Sequence, residues 1–167
     1  MYDLIFSFSK KEYPYLDEIH DPNICWGNIR LYLISDGASK IDLFELEWDV
    51  REFVKWLEEN RKSILQDDLP NVNELKGSKG SIAKGIFDFY NNDEVFDESL
   101  LDEMYEYRRQ HGVRFGLRGT DVKDIYLGKN GMGYEVSFYQ NGEKYQYPVK
   151  LNSFFKDAGF EDIIGEK

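Results

Sequence analysis

Apolar residues recur along this chain in two rhythms, and the changes of rhythm mark its elements. From Tyr2 to Phe8, the residues Tyr2, Leu4, Phe6 and Phe8 alternate with Asp3, Ile5 and Ser7, the period of two of a half-buried strand. A loop is expected around Pro14 and Asp21-Pro22. Residues 29–34 form a second β-rich run, and Asp36-Gly37 supplies a turn before a third over residues 41–46, which predicts a hairpin. At Asp49 the rhythm becomes helical: Val50, Phe53, Val54, Leu57, Ile64 and Leu65 share one face as far as the breaking Asp68-Leu69-Pro70. Asp49 is the predicted N-cap, with Glu52 three residues on in a capping-box pattern. Residues 71–81 read as an exposed loop. Helices follow at about 82–91 and 99–110, with Gly112 as a stop.

The last third returns to strands. Asn141-Gly142 is a strong two-residue hairpin signal. It pairs Phe138 with Tyr145, Val136 with Tyr147 and Tyr134 with Val149 on one face, and Tyr139 with Lys144 and Ser137 with Gln146 on the other. One register satisfies both faces, as a half-buried antiparallel pair requires. The hairpin could donate an edge for β-augmentation or lie inside a sheet. Asn152 is the expected cap of a short final helix through Phe155, ending near Gly159. The predicted fold is one α+β domain over residues 1–167, a largely antiparallel sheet with three to four helices packed on it.

Composition narrows the class. At 167 residues with 41% apolar side chains, the chain is long enough for a sizeable core without disulfide or metal support. Acidic residues outnumber basic ones 32 to 21, and the net charge of −11 repels nucleic acid and anionic membrane while attracting basic surfaces. Cys25 is the only cysteine, which suits a reducing compartment. The first residues lack the pattern of a signal peptide and no apolar run reaches membrane-span length, so a cytoplasmic location is expected.

Catalytic chemistry finds little support. His20 and His111 stand far apart, and with one cysteine they do not supply the three or four ligands of a zinc site. A nucleophile pair of Cys25 with either histidine is possible on paper, although an inert, partly buried thiol is the commoner outcome. Residues 77–85, Gly-Ser-Lys-Gly-Ser-Ile-Ala-Lys-Gly, superficially suggest a phosphate cradle before a helix but lack its Gly-Lys-Ser/Thr ending, so a flexible loop is the better reading. Residues 91–102 lack the glycine of a calcium hand. No catalytic, cofactor-binding or metal site is expected.

Charge placement is more informative. Between Asp88 and Tyr107 lie eight acids (Asp88, Asp93, Glu94, Asp97, Glu98, Asp102, Glu103 and Glu106) and no lysine or arginine. A plain solvated helix face is one explanation, but such faces usually intersperse lysine for pairing one turn apart. A basic partner is the other. The basic cluster that follows, Arg108, Arg109, His111, Arg114 and Arg118, is favourable at a helix C-terminus and can pair with neighbouring acids.

Two blocks carry a resemblance: Trp48-Asp49-Val50-Arg51-Glu52-Phe53-Val54-Lys55-Trp56-Leu57-Glu58-Glu59-Asn60, and Arg109 to Asp121 with Asp124-Ile125-Tyr126-Leu127-Gly128. Together they resemble an uncharacterised family of small bacterial proteins of about this length. In size, acidity and aromatic content the chain is also similar to immunity proteins of contact-dependent inhibition and polymorphic toxin systems. That likeness implies a non-enzymatic protein that binds a cognate toxin domain with a basic surface, a nuclease being the natural class. The expected contact residues are Asp93, Glu94, Asp97, Glu98, Asp102 and Glu103, with Phe96 and Tyr105 as aromatic anchors. Two alternatives remain at this level. One is an enzyme of unrecognised type with a deep cleft holding Arg109, His111 and Arg118; the other is a regulatory module that binds a different basic protein.

Overall fold

A computed structural model of the chain describes residues 1–15, 21–70, 80–92, 97–131 and 133–165, with Ile164 described by its backbone alone. Six strands form one sheet in the order β3-β2-β1-β6-β5-β4. The strands are β1 (Tyr2–Lys10), β2 (Trp26–Ser35), β3 (Lys40–Asp49), β4 (Ile125–Asn130), β5 (Gly133–Gln140) and β6 (Glu143–Val149). Two antiparallel three-stranded meanders, one from each end of the chain, meet in a parallel seam where Tyr2 pairs with Val149. The Lys150 N–H donates to the Tyr2 carbonyl at 3.2 Å across that seam. This is the expected α+β class with a largely antiparallel sheet.

The β5–β6 hairpin has the register its sequence predicts on both faces. Asn141 and Gly142 both take positive φ, 53° and 77°, as the primed two-residue turn requires. The hairpin lies inside the sheet, between β1 and β4, although β6 meets β1 through the Tyr2–Val149 pair alone. In β3 the apolar positions Ile41, Phe44 and Leu46 change phase by one residue. A bulge absorbs the change: Tyr32 faces Asp42 and Leu31 faces Phe44, leaving Leu43 as the extra, buried residue.

The β2–β3 turn uses a different residue from the expected glycine. Ala38, not Gly37, occupies the left-handed region, with φ 61°. A Cβ there costs about 1 kcal/mol. Ala38→Gly is therefore expected to stabilise the protein by about 0.5–1 kcal/mol, a rise in Tm of about 1–4 °C for a domain of this size. An unchanged or lower Tm in thermal melts would contradict this reading of the turn.

Five α-helices are described: α1 (Val50–Gln66), α2 (Ile82–Tyr90), α3 (Glu98–His111), α4 (Leu151–Asp157) and α5 (Phe160–Ile164), with a short 3-10 helix over Val113–Gly116. Asp49 caps α1 as expected, its Oδ1 accepting from the N–H groups of Arg51 at 3.0 Å and Cys25 at 3.1 Å. The capping box does not close as predicted, because the Glu52 carboxylate accepts the Trp48 indole N–H at 2.9 Å instead. Asn152 is not a cap either. Lys150 is the cap residue of α4 without a side-chain bond, and the Asn152 amide reaches the Tyr134 hydroxyl at 3.4 Å.

The core has two layers because β4 and β5 are covered on both faces. Ile125, Leu127, Val136 and Phe138 join α1, α4, α5 and the inner face of β1–β3 in the larger cluster. Tyr126 and Tyr139, one residue out of phase, face α2 and α3 in the smaller one, with Ile82, Ile86, Phe89, Met104 and Tyr107. Trp56 ties the layers together, its indole N–H donating to the Arg109 carbonyl at 3.2 Å.

Candidate partner-binding surface

The helix that carries the acidic run buries little of itself. Met104, Tyr107 and His111 are its buried residues, with Leu100 half-buried: positions 100, 104, 107 and 111, one stripe at helical spacing. Asp97 caps the helix, its Oδ1 accepting the Leu100 N–H at 2.8 Å. Glu98 sits at the positive end of the helix dipole and Arg108, Arg109 and His111 at the negative end.

Opposite the buried stripe, Glu98, Leu101, Asp102 and Tyr105 follow the same i, i+3, i+4, i+7 spacing on the outer face. Leu101 is 42% exposed and Tyr105 54%, large apolar groups presented to solvent between carboxylates. Tyr105 rests edge-on against Phe115, ring centres 6.3 Å apart, which limits its freedom. Sequence reasoning named Tyr105 and missed Leu101, although the i+3 step from Glu98 pointed to it.

Of the eight acids, the structure pairs two internally. Asp88 bonds to Lys84, and Glu106 chelates the Arg109 guanidinium with bonds of 2.9 and 2.6 Å. Both cations lie just outside the residue window that contained no base. Pairing with these partners holds the Glu106 carboxyl below its usual range and raises both Lys84 and Arg109. Asp97 is engaged as a cap. Glu98, Asp102 and Glu103 are exposed and have no ion pair among the described residues. Asp93, Glu94 and Phe96 lie outside the described residues.

The basic cluster does not assemble into one cleft. A groove of about 410 Å³ lies between α1 and the 3-10 helix, lined by Arg109, Arg118, Phe115, Trp56, Glu52 and Glu59. His111 is not part of it. That ring is fully buried beneath β4, its Nδ1–H donating to the Leu127 carbonyl at 2.9 Å, and it stacks on Tyr107 with ring centres 3.8 Å apart. Burial lowers the imidazole from its ordinary value to about 4, the Leu127 carbonyl and Asp67 opposing. At neutral pH it is therefore an uncharged core residue. Gly128 makes room for it, since a Cβ there would stand 2.8 Å from Nδ1 and 2.9 Å from the Ile82 methyl. Arg114 pairs with Asp124 at 3.7 Å, as the structural reading of the cluster expected.

The suspected phosphate cradle is occupied by the protein itself. Residues 77–79 lie outside the described residues, but α2 begins where the cradle would end. Ser81 caps it by accepting the Lys84 N–H at 3.1 Å. The Ile82 N–H donates to Glu135 Oε1 at 2.6 Å and the Ala83 N–H to Ser137 Oγ at 3.0 Å. Glu135 is 2% exposed, and its other oxygen accepts from the amides of Asn130 and Gln146. A carboxylate of β5 thus holds the place an anion would take.

Cys25 is half-buried and free, packed against the larger core, while His111 packs on β4. Among the described residues, no three His, Cys, Asp or Glu side chains converge as metal ligands, and no helix is long and apolar enough to cross a membrane. Against this geometry, a scan of protein-family models, a search of curated proteins and a search of solved structures each find no match to the chain.

Proposed function

We propose that this chain is a bacterial immunity protein that binds and neutralises a cognate toxin domain through the outer face of α3. One observation carries the reading: Glu98 and Asp102 stand exposed and unpaired among the described residues beside the exposed Leu101 and Tyr105, with Glu103, also exposed and unpaired, on the flank of the helix. Unpaired carboxylates on one helix face repel each other, and a cationic surface relieves that cost. Aromatic and aliphatic anchors within a charged ring are the usual make-up of an interface centre. A nuclease toxin fits this chemistry, because its site must be basic to hold phosphates. The net charge of −11 adds long-range steering towards such a partner. The setting would be the cytoplasm of the producing cell.

The test is charge reversal. Glu98→Lys, Asp102→Lys and Glu103→Lys together are expected to slow association with a cognate toxin domain, to be sought in the neighbouring genes, by about 100-fold at low salt, with the difference shrinking as salt rises. Tyr105→Ala should act on dissociation instead, at a cost of about 2 kcal/mol. All four side chains are exposed, so circular dichroism should report an intact fold. Undiminished affinity and growth protection in the triple variant would remove α3 from the interface.

A further inference from the structure

A separate cleft of about 250 Å³ opens beside the smaller core, on the far side of β4 and β5 from α1. Phe87 and Tyr90, three residues apart on α2, form its rim and are 48% and 43% exposed. Ile86 and Tyr126 are buried in its floor, and Tyr139 backs Phe87 in a stack with ring centres 4.8 Å apart. Arg108, from the last turn of α3, closes one end. Its guanidinium carbon lies 4.8 Å from the centre of the Tyr90 ring, and the Tyr126 phenol stands beside it.

Arg108 is unusual in this acid-rich chain. It is half-buried, yet among the described residues no carboxylate pairs with it. The Tyr90 and Tyr126 hydroxyls are its polar neighbours, and its Nε is buried without a hydrogen-bond partner. Arg51 shares the orphaned Nε but donates to the Asn23 carbonyl and does not line this cleft. Arg109 has Glu106, Arg114 has Asp124 and Arg30 has Asp42. A guanidinium presents five donors in a fixed plane and is matched best by a two-oxygen anion. Here the residues around it are aromatic.

We propose that this cleft is a binding site for a planar aromatic ring bearing one carboxylate, the ring entering between Phe87 and Tyr90 and the carboxylate meeting Arg108. Size and charge both set the class. A dry cavity of about 150 Å³ takes benzene, so this cleft of about 250 Å³ has room for one substituted ring. Asp124, already engaged with Arg114, also lines the cleft and disfavours a doubly charged phosphate. The site does not depend on the α3 outer face, so it stands or falls separately from toxin binding.

Two sources share this chemistry, a free aromatic acid and the terminal carboxylate of a chain ending in an aromatic residue. Ring resonances of Phe87, Tyr90 and Tyr126, followed by NMR, are to be titrated with benzoate, N-acetylphenylalanine, benzyl alcohol and acetate. Benzoate or N-acetylphenylalanine should give saturable shifts with a Kd of about 1 mM. Benzyl alcohol and acetate should bind at least about 10-fold more weakly, since each lacks one half of the recognition. Arg108→Gln should lose at least about 10-fold, and Arg108→Lys, which keeps the charge without the fork, a few-fold. Whichever acid binds more tightly identifies the source. Equal binding of benzyl alcohol and benzoate, or unchanged benzoate binding in a folded Arg108 variant, would overturn the proposal and leave Arg108 as a cation stacked on Tyr90.

Discussion

Glu135→Ala should destabilise the protein by about 3 kcal/mol, the largest effect expected of any polar substitution described above. The cost has a defined origin. Glu135 is buried and accepts from the Ile82 N–H at the start of α2 and from the side chains of Asn130 and Gln146. Truncation leaves the buried Ile82 N–H at the helix end without its acceptor, at about 1–3 kcal/mol, whereas the amides of the exposed Asn130 and Gln146 can turn to water and Asn130 keeps the Gly80 carbonyl. It also removes the negative charge that the α2 dipole faces. Glu135→Gln keeps the shape and one acceptor oxygen, so about 1 kcal/mol is expected for it. Urea midpoints of the two variants separate these values. Hydrogen exchange should place the loss in α2, whose contacts with β4 and β5 form much of the smaller core. A shift below 1 kcal/mol for Glu135→Ala would mean that the α2 N-terminus does not depend on this carboxylate.

The second large effect is a dependence on pH. Burial beneath β4 lowers His111 from its ordinary value near 6.5 to about 4 in the folded chain. Between those two values the unfolded chain binds a proton that the folded chain refuses, so stability falls as the pH falls. The contribution of His111 is fully present above about pH 6.5 and is lost progressively down to about pH 4. A difference of about 2.5 units corresponds to about 3 kcal/mol. Many carboxylates titrate in the same window, so the measurement is comparative. His111→Asn, which keeps a donor towards the Leu127 carbonyl, should be less stable at pH 7, and the gap to the unmodified protein should narrow by about 3 kcal/mol on going to pH 4. A gap that is constant with pH would show that His111 protonates freely in the folded state.

What could be read ahead of the structure was whatever is encoded locally. The β5–β6 register was legible because alternation on two faces and the Asn141-Gly142 turn impose the same pairing independently. Asp49 was legible as a cap. Glu52 misled because an indole donor, Trp48, competes for its carboxylate from the preceding strand. The parallel seam was not legible at all, since it joins Tyr2 to Val149 through one pair and leaves no periodic trace.

The same distinction governs the candidate surface. The charge run and Tyr105 were readable. That Asp88 and Glu106 are neutralised by Lys84 and Arg109 depends on helical spacing across the ends of the run. His111 as a buried neutral ring, and Glu135 as the occupant of the apparent anion cradle, follow from contacts between residues remote in sequence. Such contacts leave no mark in composition or spacing.

The seam between β1 and β6 also sets a schedule for synthesis. β1 is made well before its second neighbour in the sheet, β6, which ends at Val149. At about 5–20 residues per second, a ribosome delivers that neighbour about 7–28 s after β1 has been made. The first meander and α1 can form from nearby residues in that interval, but one side of β1 waits uncovered, and α4, which packs on it, arrives later still. An uncovered strand edge is a template for pairing with other chains. The nascent protein is thus most vulnerable to misassociation at the strand that ends up in the middle of the finished sheet.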